Sequence, residues 1–111
     1  VSLHTDLRPE NRKMMNAERL GLMRPTAVLI NTARGPLVDE PALVSALQRG
    51  RLAGAALDVF EVEPLPDDSV LRTLPNVYLA PHNANSSPAA AERVHVNTIR
   101  NVIGVLIGTK P

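Results

Sequence analysis

Cysteine is absent from this 111-residue sequence, and aromatic residues are almost absent. Without cysteine the chain can form neither disulfides nor thiolate metal sites, which fits a cytoplasmic protein, and we expect no metal ion in its site. Its aromatic side chains are Phe60 and Tyr78 alone. Two such residues provide no platform on which the bases of single-stranded nucleic acid could stack.

The sequence also lacks an excess of charge of one sign and a long hydrophobic run. Twelve lysine and arginine residues face eleven aspartate and glutamate residues, which leaves a net charge of +1. This balance gives no electrostatic basis for nucleic-acid binding. The apolar runs are far shorter than the ~18 residues that a membrane-spanning helix needs, and the chain does not open on a signal-like segment. We therefore expect a cytoplasmic protein without nucleic-acid or membrane partners.

The residues that are present have the composition of a single globular domain. Apolar residues make up 44% of the sequence and charged residues 21%, a balance that argues against disorder. Short apolar runs alternate with segments of helical periodicity. This pattern is typical of an α/β fold with a parallel sheet whose strands are buried on both faces. The predicted order is strand 1–4, helix 16–23, strand 26–31, helix 39–49, strand 53–58, strand 76–80 and helix 88–107.

Capping residues indicate where the predicted helices begin and end. Asn16, Asp39 and Ser87 stand at positions where an N-cap side chain accepts a backbone hydrogen bond. Gly50 stands where a left-handed residue would end the second helix. The proline-rich segment 60–75 predicts an ordered surface loop with at most one short turn.

Polar residues follow three of the predicted strands at the point where each strand ends. Arg34 follows the second strand, and Asp58 is the last residue of the third. Glu63 comes five residues after Asp58, and His82 follows the fourth strand. Because ligands of an open parallel sheet bind outside the carboxyl ends of its strands, we expect the arginine, the acids and the histidine to converge on one crevice.

The residue types in this crevice suit acid–base chemistry on an anionic, carbonyl-bearing substrate. A histidine that shuttles a proton needs a carboxylate on its other ring nitrogen, which fixes the tautomer and stabilises the charged form. Glu63 is the candidate carboxylate for His82. The planar fork of Arg34 can hold a substrate carboxylate in two hydrogen bonds. Each of these residues alone is more often an ordinary loop residue, and their convergence is what predicts a reaction centre.

Three segments carry a resemblance to a known family. They are residues 31–40 (NTARGPLVDE), residues 54–64 (GAALDVFEVEP) and the pair Pro81-His82. In order and spacing they resemble the D-isomer-specific 2-hydroxyacid dehydrogenases. The resemblance implies a Rossmann-type half domain and hydride transfer between NAD or NADP and a small 2-hydroxy or 2-oxo acid. It also implies a homodimer in the full-length form, to which segments 14–23 and 94–107 are candidate contributors.

The resemblance also implies roles for individual residues. Arg34 would bind the carboxylate and carbonyl of the substrate, and Glu63 would pair with His82, the acid/base that protonates the carbonyl oxygen. Asp58 would contact the nicotinamide end of the cofactor. The full set implied to lie beside the cofactor is His4, Thr32, Ala33, Arg34, Asp58, His82, Asn83, Ala84 and Asn85.

Part of the family's machinery is missing from these 111 residues. They contain no G-x-G-x-x-G turn, which would cradle the cofactor's pyrophosphate, and no separate substrate domain. We expect residues 1–111 to be the C-terminal part of an NAD(P)-binding domain, with a terminal helix at 88–107, within a longer polypeptide. The chain alone is then expected to bind NAD(H) weakly or not at all and to show no turnover.

Three alternatives compete with this hypothesis. A non-catalytic NAD-binding scaffold, like the corepressor relatives of the same fold, could keep all three residues of the site. A hydrolytic metal site could be built from His4, Asp58 and His82, but the sequence lacks a local ligand spacing such as H-x-x-x-H. A formate-type dehydrogenase is disfavoured because the resemblance implies glutamine, not glutamate, at position 63 in that branch.

Overall fold

Four parallel strands form the frame of the chain in the computed structural model, which describes residues 1–109. Neighbouring strands pair in the order β1-β2-β3-β4, and every pair is parallel. The predicted α/β class with a parallel sheet is therefore confirmed. The strand bounds are Ser2–Leu3 (β1), Val28–Asn31 (β2), Gly54–Leu57 (β3) and Val77–Leu79 (β4).

Two α-helices and three short 3₁₀ turns lie between the strands, and a third α-helix follows β4. The helix bounds are Ala17–Gly21 (α1), Glu40–Gln48 (α2) and Pro88–Leu106 (α3), and the turns are Pro9–Asn11, Gly35–Leu37 and Val70–Thr73. The last turn lies in the segment predicted to be a loop with one short turn.

The predicted capping residues do cap the helices. Asn16, Asp39 and Ser87 each accept a hydrogen bond from a backbone N–H in the first helical turn, at 3.0, 3.3 and 3.2 Å. Gly50 has a φ of 64°, in the left-handed region that favours glycine, and it follows Arg49, the C-cap residue of α2. Local side-chain chemistry therefore sets the helix limits.

One face of the sheet carries the hydrophobic core. Because crossovers between neighbouring parallel strands share one hand, α1 and α2 pack on the same side of the sheet and contact each other. Leu29, Ala55 and Leu57 point to that side, and all are buried. They form one cluster with inward residues of the helices, among them Leu20, Leu43 and Leu47.

The other face of the sheet is open, and the prediction of strands buried on both faces is wrong for the described residues. Val28 and Ile30 of β2 are 42% and 38% exposed, and Tyr78 of β4 is 81% exposed. The physical reason is the shared crossover side, since neither α1 nor α2 can cover this second face. Continuous apolar runs such as residues 27–30 therefore overstate how much of each strand is covered.

Helix α3 is exposed along most of its length. The predicted apolar residues do recur on it at helical spacing, but each is at least half exposed; they are Val94, Ile99, Val102, Ile103 and Leu106. Gly104 is the buried residue of this helix. Within residues 1–109, no helix combines the length and the apolar character that crossing a membrane requires.

Candidate active site

The carboxyl ends of β2, β3 and β4 lie side by side at one edge of the sheet. In the register of the sheet Asn31 pairs with Leu57, and Leu57 pairs with Leu79, so the three strands end level with one another. The loops that carry Arg34, Glu63 and His82 start from these ends. Parallel pairing is thus the reason that residues far apart in sequence meet here.

His82 and Glu63 form a direct pair. The Nδ1 atom of His82 lies 2.8 Å from Oε2 of Glu63, and the two side chains are 49% and 36% exposed. A carboxylate can only accept a hydrogen bond, so Nδ1 carries the proton of this contact. Nε2 is left as the ring nitrogen that can take up or release a proton.

A second hydrogen bond holds the Glu63 carboxylate from its other oxygen. The backbone N–H of Phe60 donates to Oε1 at 3.0 Å. The hydrogen bond from His82, then that from Phe60, and then the charges of His82 and Arg34 lower the pKa of Glu63, while partial burial opposes them. Glu63 is therefore ionised at neutral pH and supplies a fixed negative charge beside the imidazole.

Arg34 interacts electrostatically with Glu63 of this pair. It is exposed, directly precedes the turn Gly35–Leu37, and donates from Nη1 to the carbonyl of Ala33 at 2.6 Å. Its charge contributes to the low pKa of Glu63. In the described part of the chain it forms no ion pair with an acid, so the predicted trio is a bonded His–Glu pair with an arginine nearby.

Asn31 holds the loop that carries Arg34 through two hydrogen bonds. Its role is not predicted from the sequence. Its side chain is 1% exposed. Its Nδ2 donates to the carbonyl of Arg34 at 2.9 Å, and its Oδ1 accepts the N–H of Ala33 at 3.1 Å. The available signal was a polar residue on the same inward face as Leu29, two positions earlier, where alternation along the strand predicts an apolar side chain.

Gly35 allows this loop to pack against the loop that carries Glu63. A Cβ atom at position 35 would overlap the carbonyl group of Phe60, whose N–H holds Glu63. The amide N of Glu61 would lie only 2.7 Å from that atom. Only glycine fits this contact, and the close approach couples the position of Arg34 to that of Glu63.

Asp58 is bonded to the backbone that follows His82. Its side chain lies at the end of β3, and the residue is 4% exposed. Oδ1 accepts the N–H of Asn83 at 2.8 Å, and Oδ2 accepts the N–H of Ala84 at 2.9 Å. His82 itself has a φ of 55°, in the left-handed region. The predicted cofactor contact of Asp58 stays a prediction, and its observed partners are these two amides.

Several other residues predicted to lie beside the cofactor either line one cleft or adjoin its lining in sequence. A cleft of about 180 Å³ opens at the strand ends, and its lining includes Thr32, Asp58 and Ala84. Ala33, Asn83 and Asn85 adjoin these residues in sequence, and Ala33 is half-buried while Asn83 and Asn85 are exposed.

His4 lies apart from the cleft lining. It follows β1, is exposed, and its Nε2 lies 2.7 Å from the hydroxyl of Ser2. The alternative metal site therefore has its three residues engaged separately, since Asp58 binds two amides and His82 binds Glu63. No group of three or more candidate ligand side chains within residues 1–109 is arranged to hold a metal ion.

A larger cavity lies beside the His–Glu pair. Its volume is about 600 Å³, and Glu63, His82 and Arg72 contribute to its lining. Arg72 donates to the carbonyls of Leu65 and Pro66, at 2.7 and 2.9 Å, and so fixes the loop that forms the wall. The pair therefore lines this cavity, whereas the lining of the cleft at the strand ends includes neither Glu63 nor His82.

The cleft fits one end of a nicotinamide cofactor. Ala56, Ala80 and Ala84 contribute only small side chains to its lining, which leaves room for a flat ring beside the strand ends. The phosphate end finds no partner in the described residues. Their positive-φ glycines, Gly50 and Gly108, follow α2 and α3 and form no glycine-rich turn. These residues therefore fit the nicotinamide half of the cofactor only.

Comparison with known proteins gives a consistent family. The family model described as "D-isomer specific 2-hydroxyacid dehydrogenase, NAD binding domain" matches residues 1–84. Glyoxylate reductase of Thermofilum pendens is 52% identical over 111 residues, which are 100% of this chain and 33% of that protein. The chain spans about a third of the length of this curated relative.

Solved structures agree with the match. A D-isomer-specific 2-hydroxyacid dehydrogenase of Xanthobacter autotrophicus Py2, in complex with NADPH and MES, is 54% identical with a TM-score of 0.72. The match covers 74% of this chain and 27% of that one. The NAD-complexed enzyme of Lactobacillus delbrueckii ssp. bulgaricus is 34% identical with a TM-score of 0.82, and the match covers 100% of this chain and 38% of that one.

Proposed function

Since the chain belongs to the family of D-isomer-specific 2-hydroxyacid dehydrogenases, we propose that it forms the acid–base side of an active site for reversible reduction of small 2-oxo acids. The observation that carries this proposal is the 2.8 Å contact between Nδ1 of His82 and Oε2 of Glu63. It leaves Nε2 as the proton donor and gives the imidazolium a fixed counter-charge. An arginine beside such a pair suits an anionic substrate.

In this proposal each residue of the site has one task during reduction. When bound, NADH or NADPH would supply the hydride for C2 of the substrate. The guanidinium fork of Arg34 holds the substrate carboxylate and polarises the carbonyl. His82 donates the proton on Nε2 to the carbonyl oxygen as it becomes a hydroxyl, and the ring returns to the neutral form. Glu63 keeps Nδ1 protonated throughout and thereby fixes the orientation of the ring.

We propose that residues 1–111 are the C-terminal part of the NAD(P)-binding domain of this enzyme. The match to about a third of the glyoxylate reductase length supports this division. So does the lack of a G-x-G-x-x-G turn, because the pyrophosphate of the cofactor needs such a turn at a helix N-terminus. The phosphate-binding half and the substrate domain would then come from other parts of the protein.

The cofactor contacts proposed for this chain lie at the nicotinamide end. Thr32, Asp58 and Ala84 line the cleft at the strand ends, which supports a role for them. Ala33, Arg34, His82, Asn83 and Asn85 are proposed on the strength of their neighbourhood to these residues. His4 is the least supported member, because the lining of the cleft does not include it.

Glyoxylate is the substrate to test first, because the 52% identical relative is a glyoxylate reductase. The full-length protein is assayed with glyoxylate and either NADH or NADPH, and nicotinamide absorbance is followed. We expect turnover in wild type. Arg34→Lys should raise KM for glyoxylate and lower kcat, because a point charge cannot replace a bidentate fork. Absence of turnover in wild type with cofactor bound would favour the non-catalytic scaffold.

We also propose that the full-length protein is a cytoplasmic homodimer. The absence of cysteine supports a reducing compartment. The exposed apolar side chains of α3, Ile99 and Val102 among them, support a protein–protein contact, since large apolar patches on a surface mark interaction sites. Sedimentation at micromolar concentration tests the dimer, and a monomer would contradict it.

A further inference from the structure

We infer that Asp58 is a positioning residue that holds the backbone of His82 in its left-handed conformation. It acts through the two backbone amides that follow the histidine. This inference rests on the proposed function, because it assigns to Asp58 the task of aiming the acid/base. It adds to the implied cofactor contact a task that depends on no cofactor.

The left-handed backbone conformation of His82 must be enforced by the residues around it. Its φ of 55° lies in a region that residues other than glycine adopt rarely, and only where the surroundings enforce it. Among the described non-glycine residues, Lys13 is the other one with a positive φ. The backbone of His82 is therefore held against its local preference.

The carboxylate of Asp58 enforces this conformation. The successive N–H groups of Asn83 and Ala84 converge on its two oxygens, at 2.8 and 2.9 Å. Consecutive amides that point to one anion require a turned backbone, of the kind that a left-handed residue provides. Asp58 as a whole is 4% exposed, so water competes little for these hydrogen bonds.

The frame of the sheet makes Asp58 a rigid anchor. Its own N–H donates to the carbonyl of Asn31 at 3.0 Å, which extends the pairing of β3 with β2. On the other side, the N–H of Ala80 donates to the carbonyl of Leu57 at 2.9 Å. The chain is therefore fixed to the sheet as far as residue 80, and the Asp58 hydrogen bonds fix it again just beyond His82.

The contact between His82 and Glu63 depends on this backbone conformation. With a negative φ at His82, the amides beyond it would leave the Asp58 carboxylate and the ring would change direction relative to Glu63. The 2.8 Å contact of Nδ1 with Oε2 then depends on Asp58, which touches neither ring nor Glu63 in these hydrogen bonds. Nuclear magnetic resonance of the isotope-labelled full-length protein, without cofactor or substrate, tests this.

In wild type we expect a strong intraresidue NOE between the amide and Hα protons of His82, which a positive φ produces. We also expect through-hydrogen-bond couplings from the amides of Asn83 and Ala84 to the side-chain carboxyl carbon of Asp58. Absence of these couplings in wild type would overturn the inference, even if a variant failed to fold.

Asp58→Asn is the variant that removes one acceptor. Asparagine offers one carbonyl oxygen and an NH₂ group that cannot accept, so one of the two amides loses its partner. We expect the His82 NOE to weaken and that amide to exchange faster, while the signals of β2 stay in place. Asp68→Asn removes the same charge from an exposed carboxylate and should change neither readout. An unchanged His82 NOE in Asp58→Asn would overturn the inference.

Kinetics of the full-length enzyme separate this inference from the proposed function. Asp58→Asn should lower kcat by on the order of 10²-fold, the cost of misplacing a reacting group by about 1 Å, with a smaller change in cofactor Kd. A raised cofactor Kd with an unchanged His82 NOE would show a cofactor contact instead and overturn positioning. If wild type shows no reductase activity while the resonance results hold, the proposed function fails and the positioning of His82 stands.

Discussion

His82 combines two properties that rarely occur together in an ordinary loop residue. Its ring is bonded to an ionised carboxylate that also accepts the N–H of Phe60, and its backbone is left-handed. The first property prepares an imidazole to hold a proton on Nε2. The second shows that the surrounding structure enforces the placement of the ring. Both serve the proposed acid/base role.

Replacing His82 by asparagine tests the acid/base role at the residue scale. Asparagine tolerates a positive φ better than most residues, so the backbone should keep its conformation. It cannot exchange a proton at neutral pH, and kcat of the full-length enzyme should fall by roughly 10²–10⁴-fold. Steady-state kinetics check this, and Asp68→Asn is the control with an unchanged active site. Wild-type kcat in His82→Asn would contradict the assignment.

Arg34, Glu63 and His82 could be selected from the sequence because each follows a strand end. Parallel pairing brings their three loops to one edge of the sheet, and this is the part of their convergence that the sequence predicts. The task of Asp58 could not be read in this way, because its partners are backbone amides, which every sequence contains. Asn31 could have been found from its inward position in β2, but its two hydrogen bonds depend on the path of the loop.

At the scale of elements, close contact between two loops holds the arginine near the pair. The turn Gly35–Leu37 lies against the backbone of Phe60, and no side chain at position 35 fits between them. A hydrogen bond outside the site also connects this part of the chain. The N–H of Glu61 donates at 3.3 Å to the carboxylate of Glu40, the first residue of α2. The relative placement of Arg34 and Glu63 is therefore a property of packed loops.

Gly35→Ala should destabilise the chain by about 1–3 kcal/mol, because the new methyl group forces two backbones apart in a packed region. Chemical denaturation of the chain measures this. Gly21→Ala is a matched control, since a Cβ at position 21 meets nothing within 4 Å. Its stability should be unchanged or slightly raised, because alanine is the better helix former. Equal stability of Gly35→Ala and wild type would show that the loops do not pack as described.

The order of strands and helices could be predicted from the sequence because periodicity and capping residues are local signals. Asn16, Asp39 and Ser87 each cap the helix that was expected of them. The open face of the sheet could not be predicted in this way. Ile30 and Tyr78 are apolar or aromatic members of short runs, and nothing local tells whether a helix crosses above them.

At the scale of the whole molecule, the chain contains the His–Glu pair but only part of what the proposed cofactor site needs. The cleft at the strand ends is the place proposed for the nicotinamide end, and the sequence contains no glycine-rich turn for the phosphates. The open sheet face and the apolar side chains of α3 leave large apolar areas exposed. Both observations fit a domain half that functions together with further parts of an enzyme.

The isolated 111-residue chain should therefore bind NADH weakly or not at all and show no turnover. Phosphate contacts from a helix N-terminus are the missing source of affinity. Titration of the chain with NADH, followed by nicotinamide fluorescence, measures this binding, and the full-length protein is the positive control. Tight binding by the chain alone would mean that its cofactor site extends beyond the cleft at the strand ends.

The reductive pH profile of full-length wild type and Glu63→Gln tests the central claim most directly. Because the pKa of Glu63 lies below its ordinary value, the carboxylate stays charged down to acidic pH and stabilises the imidazolium of His82. Glutamine keeps a hydrogen-bond acceptor but removes that charge. Reduction needs the protonated ring, so activity of Glu63→Gln should fall off at a lower pH than in wild type. Superimposable profiles would show that Glu63 does not tune His82, and the acid–base pair would not be the basis of catalysis.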